Sequence, residues 1–74
     1  MKIEVQLGMR IRYLRKKAGL TIEDLAFESD INKNYLGDLE NGRRNPTLKI
    51  LEKISNGLGV SISELTKGLE SFDR

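Results

Sequence analysis

Polar side chains with strong hydrogen-bonding groups stand together at Lys33, Asn34 and Asp38. A lysine ammonium can donate to guanine O6 and N7, and an asparagine amide can pair with adenine N6 and N7. The Asp38 carboxylate can accept from cytosine N4, but it can equally repel phosphates or pair with a neighbouring cation. The chemistry available here is recognition through hydrogen bonds and charge.

The chain has few side chains that could catalyse a reaction, because its 74 residues include no histidine and no cysteine. Without histidine, the commonest general base and metal ligand is missing. Without cysteine, there is neither a disulfide nor a thiolate. We therefore expect no enzyme, no cofactor and no metal site.

Positive charge is concentrated in two places. The net charge is only +2, yet residues 10–17 hold five cations and no acid, and Arg43 and Arg44 form a second cluster. Such clusters are either solvated helix faces or surfaces that attract nucleic-acid phosphates.

Residues 21–42 must position these side chains, and their pattern predicts two short helices joined by a tight turn. Thr21 and Asp24 have capping-box spacing, Asn32 is a good N-cap, and Gly42 is a suitable helix stop. Helices this short are not stable alone. The pattern therefore predicts a helix-turn-helix packed onto other helices.

Apolar residues at helical spacing predict three further helices. The first spans residues 2–18, the next begins after a Thr47 cap, and the last opens with a second capping box formed by Ser61 and Glu64. No segment alternates like a strand over four or more positions. We expect a single all-α domain over residues 1–74. Its predicted core is Leu7, Ile11, Leu14, Leu20, Leu25, Ala26, Ile31, Leu36, Leu39, Leu48, Leu51, Ile54, Leu58, Val60 and Leu65.

The chain offers no membrane or export signal. No apolar run reaches the roughly 20 residues that span a bilayer. Residues 1–10 lack the unbroken apolar core of a signal peptide. The sequence thus predicts a cytoplasmic protein.

At this level of detail the chain resembles the Cro and phage-repressor type of helix-turn-helix proteins. The matching residues are Gly8-x-Arg10-Ile11-Arg12-x-Leu14-Arg15, Gly19-Leu20-Thr21-x-Glu23-x-Leu25-Ala26, Tyr35-Leu36-x-x-Leu39-Glu40-x-Gly42-x-Arg44-x-Pro46-Thr47 and Leu58-Gly59-Val60-Ser61. Within that family the chain is most similar to the controller proteins of restriction–modification systems. Those are small homodimers that bind operator DNA and time the expression of the restriction enzyme.

The resemblance implies a compact five-helix, lambda-repressor-like domain. The helix-turn-helix domain would occupy residues 11–65, with the recognition helix at 32–40. Residues 66–74 would be the end of a C-terminal helix that forms a symmetric dimer. Two positions depart from the family pattern: Ile22 stands where a glutamine amide usually contacts phosphate, and Asp30 stands where the turn usually has glycine. Asp tolerates the left-handed backbone region, so we expect the turn to form.

In this motif the first turn of the second helix points into the major groove. Thr21 would offer a hydroxyl and free N–H groups to a phosphate. Tyr35 either contacts DNA or packs beside the turn, and Gly37 either allows close approach to a base or is incidental. The predicted DNA-binding residues are Thr21, Lys33, Asn34, Tyr35, Gly37, Asp38, Arg43, Arg44, Asn45 and Thr47.

The resemblance also implies an ion pair between Arg15 and Glu40 that orients the recognition helix. Apolar residues near the end of the chain favour a dimer interface, although loose packing against the chain's own core would also explain them. The interface candidates are Val60, Ile62, Leu65, Leu69 and Phe72. A dimer would read a pseudo-palindromic operator with half-sites about 34 Å apart.

RNA polymerase is a further candidate partner, through the acids Glu23, Asp24 and Glu28, although stabilisation of a helix start is the favoured explanation of those acids. The alternative function is a protein-interaction module of the same fold, an antitoxin or anti-regulator, that does not itself read DNA.

Overall fold

Five α-helices follow one another along residues 1–70, the part of the chain that the computed structural model describes. They are α1 (Ile3–Lys17), α2 (Ile22–Ser29), α3 (Lys33–Glu40), α4 (Leu48–Leu58) and α5 (Ile62–Leu65). Residues 1–70 contain no strand. The predicted all-α, five-helix class is therefore confirmed. None of these helices is both long enough and apolar enough to cross a membrane.

Local caps set the limits of α2 and α3. Thr21 Oγ1 accepts from the Asp24 N–H at 3.0 Å, and the Asp24 carboxylate accepts from the Thr21 N–H at 3.0 Å, so the predicted capping box is present. Two hydrogen bonds with Thr21 lower the pKa of Asp24. The bond from the Thr21 backbone N–H has the larger effect, and the bond with the Thr21 side chain has the smaller one. Asn32 caps α3 by accepting from the N–H groups of Asn34 and Tyr35.

The turn between α2 and α3 forms without glycine, as expected. Asp30 takes the left-handed conformation, with φ 55° and ψ 49°. The N–H of Ile31 bonds to the carbonyl of Ala26 at 3.0 Å, which closes the end of α2. The Asp side chain tolerates this backbone region better than most non-glycine residues.

The core lies where α2 packs against α4 and α1 packs against α3. Nine apolar side chains are buried there: Leu7, Ile11, Leu14, Leu25, Ala26, Leu36, Leu39, Ile54 and Leu65. Leu20, Ile31, Leu51, Leu58 and Val60, also predicted, are partly buried against this cluster. The prediction that Leu48 belongs to the core is wrong, because its side chain is 71% exposed. It lies six residues before the buried Ile54, about 120° around the helix from it.

Two glycines let helices approach closely. A Cβ at Gly8 would lie 2.5 Å from the carbonyl oxygens of both Leu39 and Glu40, so α1 rests directly on the end of α3. The second of them, Gly57, lies inside α4. A Cβ there would overlap the Ser29 hydroxyl of α2. Both positions exclude a larger residue because the neighbouring atoms leave no room.

The last helix is shorter than predicted. α5 ends at Leu65 and is followed by a turn over residues 66–68, in which Gly68 has a φ of 81°, so the prediction that residues 66–70 continue the helix is wrong. Thr66 bonds its hydroxyl to the Ile62 carbonyl, and the N–H of Leu69 bonds to the Thr66 carbonyl. Phe72 lies outside the described residues.

An ion pair between α1 and α5 replaces the second predicted capping box. Ser61 Oγ accepts from the Glu64 N–H at 3.0 Å, but the Glu64 carboxylate pairs with Arg10 instead of returning to the cap. Arg10 also donates to the Glu64 carbonyl at 2.9 and 3.2 Å. Its side chain is only 19% exposed, so within the cation cluster of residues 10–17 Arg10 does not belong to a solvated helix face.

Candidate nucleic-acid interface

The first turn of α3 presents Lys33 and Asn34 to solvent. Asn32 satisfies two backbone N–H groups of that turn, so the turn is formed before any ligand arrives. Leu36 and Leu39 are buried and hold the opposite side of the helix on the core. The predicted base-reading side chains therefore lie on an exposed and firmly supported helix end.

Lys33 has a partner on the neighbouring helix. Its ammonium lies 3.5 Å from the carboxylate of Glu23 on α2, and both side chains are more than half exposed. An exposed pair of this kind contributes about 1 kcal/mol or less, so Lys33 can leave Glu23 for a stronger acceptor.

The second half of α3 carries a network centred on Asp38. The Asp38 carboxylate accepts from Arg44 Nη2 at 3.1 Å and from Nε at 3.2 Å, and Arg43 Nη1 lies 4.0 Å from it. The Arg44 guanidinium also lies over the Tyr35 ring, 5.4 Å from its centroid. Of the three alternatives for Asp38, the pairing with a neighbouring cation is present in the free chain.

Gly37 and Ile22 face each other across the helix-turn-helix. A Cβ at Gly37 would meet only Ile22 Cδ1, at 3.8 Å, which is an ordinary contact. The fold of the free chain thus has room for alanine there. Ile22 is partly buried and packs against the core, at the position where the family pattern has a phosphate-binding glutamine.

The two threonines predicted to meet phosphates are both N-caps. Thr21 Oγ1 accepts from the Asp24 N–H, and Thr47 Oγ1 accepts from the Ile50 N–H at 3.2 Å. The Thr21 N–H is not free as predicted, because it donates to the Asp24 carboxylate. Each hydroxyl can still donate its own hydrogen. Arg43, Arg44 and Asn45 are exposed in the loop that connects α3 to α4.

The ion pair predicted between Arg15 and Glu40 is present and largely buried. Arg15 Nε and Nη2 lie 2.6 and 3.0 Å from the two Glu40 oxygens, and Nη1 donates to the Leu20 carbonyl at 2.9 Å. The side chains are only 11% and 5% exposed. The hydrogen bond with Glu40 raises the pKa of Arg15 above its ordinary value. This contact ties the end of α3 to α1 and to Leu20, two residues before the start of α2.

The predicted interface residues near the end of the chain differ in burial. Leu65 is fully buried within one chain, so it supports the surface from below. Val60, Ile62 and Leu69 are partly exposed. Leu48, which sequence reasoning assigned to the core, lines a shallow groove with Ile62. The sequence did contain a sign that Leu48 is exposed, because this residue directly follows the Thr47 cap and lies outside the apolar stripe of α4.

Phe27 is an exposed apolar side chain that sequence reasoning did not single out. It lies on the solvent face of α2, one turn after Glu23 and Asp24, and is 84% exposed. Its position between the buried pair Leu25 and Ala26 and the buried Ser29 indicates an outward-facing site, since neighbouring helix positions point in different directions.

Comparison with known proteins identifies relatives of this arrangement. Residues 11–65 match the helix-turn-helix family model HTH_3. The chain is 42% identical over 69 residues to the control protein C.MunI of a Mycoplasma species, covering 92% of this chain and 93% of that protein. It is 41% identical over 64 residues to the control protein C.BamHI of Bacillus amyloliquefaciens, covering 85% and 79%. Among solved structures, the restriction-modification controller protein C.AhdI from Aeromonas hydrophila superposes with a TM-score of 0.82 at 39% identity, covering 84% of this chain and 94% of that one.

Replacing Glu40 with alanine should lower the free energy of unfolding by about 3–5 kcal/mol, because the buried Arg15 cation loses its partner. Glu23→Ala is the matched control: it removes a carboxylate from an exposed pair and should lower stability by less than about 1 kcal/mol. Urea unfolding followed by circular dichroism measures both. Equal losses for the two variants would contradict the role assigned to the buried pair.

Proposed function

The chain belongs to the helix-turn-helix family, and we propose that it is a sequence-specific DNA-binding transcriptional regulator, the homodimeric controller of a restriction–modification operon. The observation that carries this proposal is the exposed first turn of α3, where Lys33 and Asn34 stand on a helix whose opposite side is buried. Support comes from the control proteins to which nearly the whole chain is similar. We place its action in the cytoplasm, on double-stranded operator DNA.

In the proposed complex α3 enters the major groove with its N-terminal turn leading. Lys33 donates to guanine and Asn34 pairs with adenine, which supplies sequence preference. Arg43, Arg44 and Asn45 lie in the loop after α3 and bind phosphates, with the hydroxyls of Thr21 and Thr47 as further donors. These phosphate contacts fix the register of the protein on the duplex and supply much of the affinity. The Tyr35 hydroxyl is a further donor to DNA.

Two copies of the chain would double the contacts and read a pseudo-palindrome. The surface that supports a dimer is the groove lined by Leu48, Lys49, Glu52 and Ile62. Leu48 contributes a large exposed apolar side chain, and Val60 and Leu69 add partly exposed apolar area. Burial of such area against a second copy is favourable at roughly 25 cal/mol per Å².

A protein-interaction module without DNA readout is the second candidate. The observation in its favour is that Glu23 and Asp38 already pair with three of the cations assigned to DNA. Fragments of genomic DNA separate the two candidates, since a regulator enriches an operator whereas a pure interaction module enriches none.

With an operator selected in that way, Lys33→Ala should weaken operator binding by about 1–3 kcal/mol and relax preference at one base position. Arg43→Ala should weaken all sequences similarly and reduce the slope of log K against log salt by about one. Gel shifts at two salt concentrations, with operator and unrelated duplexes, measure both effects. If both variants bind like the unaltered protein, the proposed docking of α3 in the major groove is wrong.

Leu48→Asp should raise the dimer dissociation constant at least tenfold, because the interface would bury an unpaired carboxylate. Leu48 is 71% exposed and lies in the first turn of α4, so an aspartate there should not destabilise the fold of the single chain. Analytical ultracentrifugation measures the change. Phe27→Asp, at an exposed apolar side chain of α2 outside this groove, is the control and should leave the dimer intact. A dimer that survives Leu48→Asp would remove this groove from the interface.

We propose that any contact with RNA polymerase uses the exposed side of α2, which carries the acids Glu23, Asp24 and Glu28 and also Phe27, the most exposed large apolar side chain of the described residues. We expect Phe27→Ala to lower activated transcription several-fold in vitro without changing operator affinity, because α2 keeps its buried face. Met9→Ala should leave transcription unchanged. Equal transcription from Phe27→Ala and the unaltered protein would exclude this surface.

A further inference from the structure

Asp38 lies in the middle of the cations that the proposed function assigns to phosphates. Its carboxylate accepts two hydrogen bonds from Arg44, at 3.1 and 3.2 Å, and lies 4.0 Å from Arg43. The Asp38 side chain is 34% exposed, whereas those of Arg44 and Arg43 are 52% and 71% exposed. The carboxylate is thus the more enclosed partner, and the arginines fold back towards it from the loop after α3.

Arg44 is held on two sides. Asp38 binds Nε and Nη2 of the guanidinium, and the Tyr35 ring lies 5.4 Å below its Cζ. Tyr35 and Asp38 are three residues apart on α3, so they share one side of that helix. The guanidinium therefore lies along α3 itself.

A carboxylate and a phosphate compete for the same guanidinium donors. Both are anionic oxygen acceptors that a guanidinium can bind through two N–H groups at once. Arg44 can bind a phosphate fully only when it leaves Asp38. If Arg44 stays bound to Asp38, the Asp38 carboxylate lies close to the negatively charged DNA backbone and repels it. Whether Arg44 leaves Asp38 or stays, binding that depends on phosphate contacts alone is weakened.

Glu23 and Lys33 repeat this arrangement at the other end of α3, with the charged atoms 3.5 Å apart. Three cations and two acids therefore share the proposed DNA-binding surface, and their net formal charge is only +1. The chain carries the cations needed to bind DNA but neutralises much of their charge in the free state.

We propose that Asp38 is a specificity-determining residue that acts through Arg44. It withholds the Arg44 guanidinium from the phosphates of unrelated DNA, so non-specific affinity is low. On the operator, base contacts from Lys33 and Asn34 supply the free energy that releases Arg44. This inference rests on the proposed DNA-binding function and adds to it a residue that limits binding to the wrong sequences.

Asp38→Asn tests the inference because it removes the charge and keeps the shape of the side chain. Affinity for an unrelated duplex should rise about tenfold at low salt, and the salt slope should steepen by about one, since one more cation is free for phosphate. Affinity for the selected operator should rise less, so the ratio of operator to unrelated affinity should fall.

Glu28→Gln is the matched control, because it changes the net charge equally at an exposed side chain that forms no ion pair within residues 1–70. In an Arg44→Ala background, the effect of Asp38→Asn should fall to that of the control. NMR of the free protein adds a readout without DNA: the Arg44 Nε–H should exchange more slowly with solvent in the unaltered chain than in Asp38→Asn.

Two outcomes overturn the inference while the proposed function stands. The first is an operator-selective protein in which Asp38→Asn and Glu28→Gln change unrelated binding equally. The second is an Asp38→Asn effect that persists undiminished without Arg44. A protein that enriches no DNA fragment overturns the proposed function, and this inference with it.

Discussion

The buried ion pair between Arg15 and Glu40 is the interaction on which the presentation of α3 depends. Glu40 is the last residue of α3, where the helix dipole disfavours a carboxylate. It is tolerated there because Arg15 binds both of its oxygens from α1. The same arginine reaches the Leu20 carbonyl, so one guanidinium joins α1, the entrance to α2 and the end of α3. The Gly8 backbone presses against the same end of α3.

Anchoring at one end of α3 has consequences at the other end. The C-terminal turn is enclosed by α1, whereas the N-terminal turn is capped by Asn32 and exposed. A short helix held in this way can enter a groove with its N-terminus leading and without losing its support. The packing of α1 against the end of α3 therefore stabilises the fold and also leaves the first turn of α3 exposed at the candidate interface.

Charge on the candidate interface is balanced within the chain. Each cation of the surface that carries Lys33, Arg43 and Arg44 has an acid within about 4 Å. Exposed pairs of this strength are readily exchanged for stronger ones. A surface built in this way favours partners that offer both phosphates and matching base edges over partners that offer phosphates alone.

Local interactions could be predicted from the sequence by itself, since they join residues two or three positions apart. They include the Thr21–Asp24 capping box and the Asn32 cap. The family pattern added the left-handed turn at Asp30 and the Arg15–Glu40 pair. Only the tertiary structure decided which partners distant residues choose: Glu64 turns from its own cap to Arg10, Leu48 faces solvent, and α5 ends at Leu65. Spacing along a chain specifies which residues share a helix face, but the angle at which helices pack decides what each face meets.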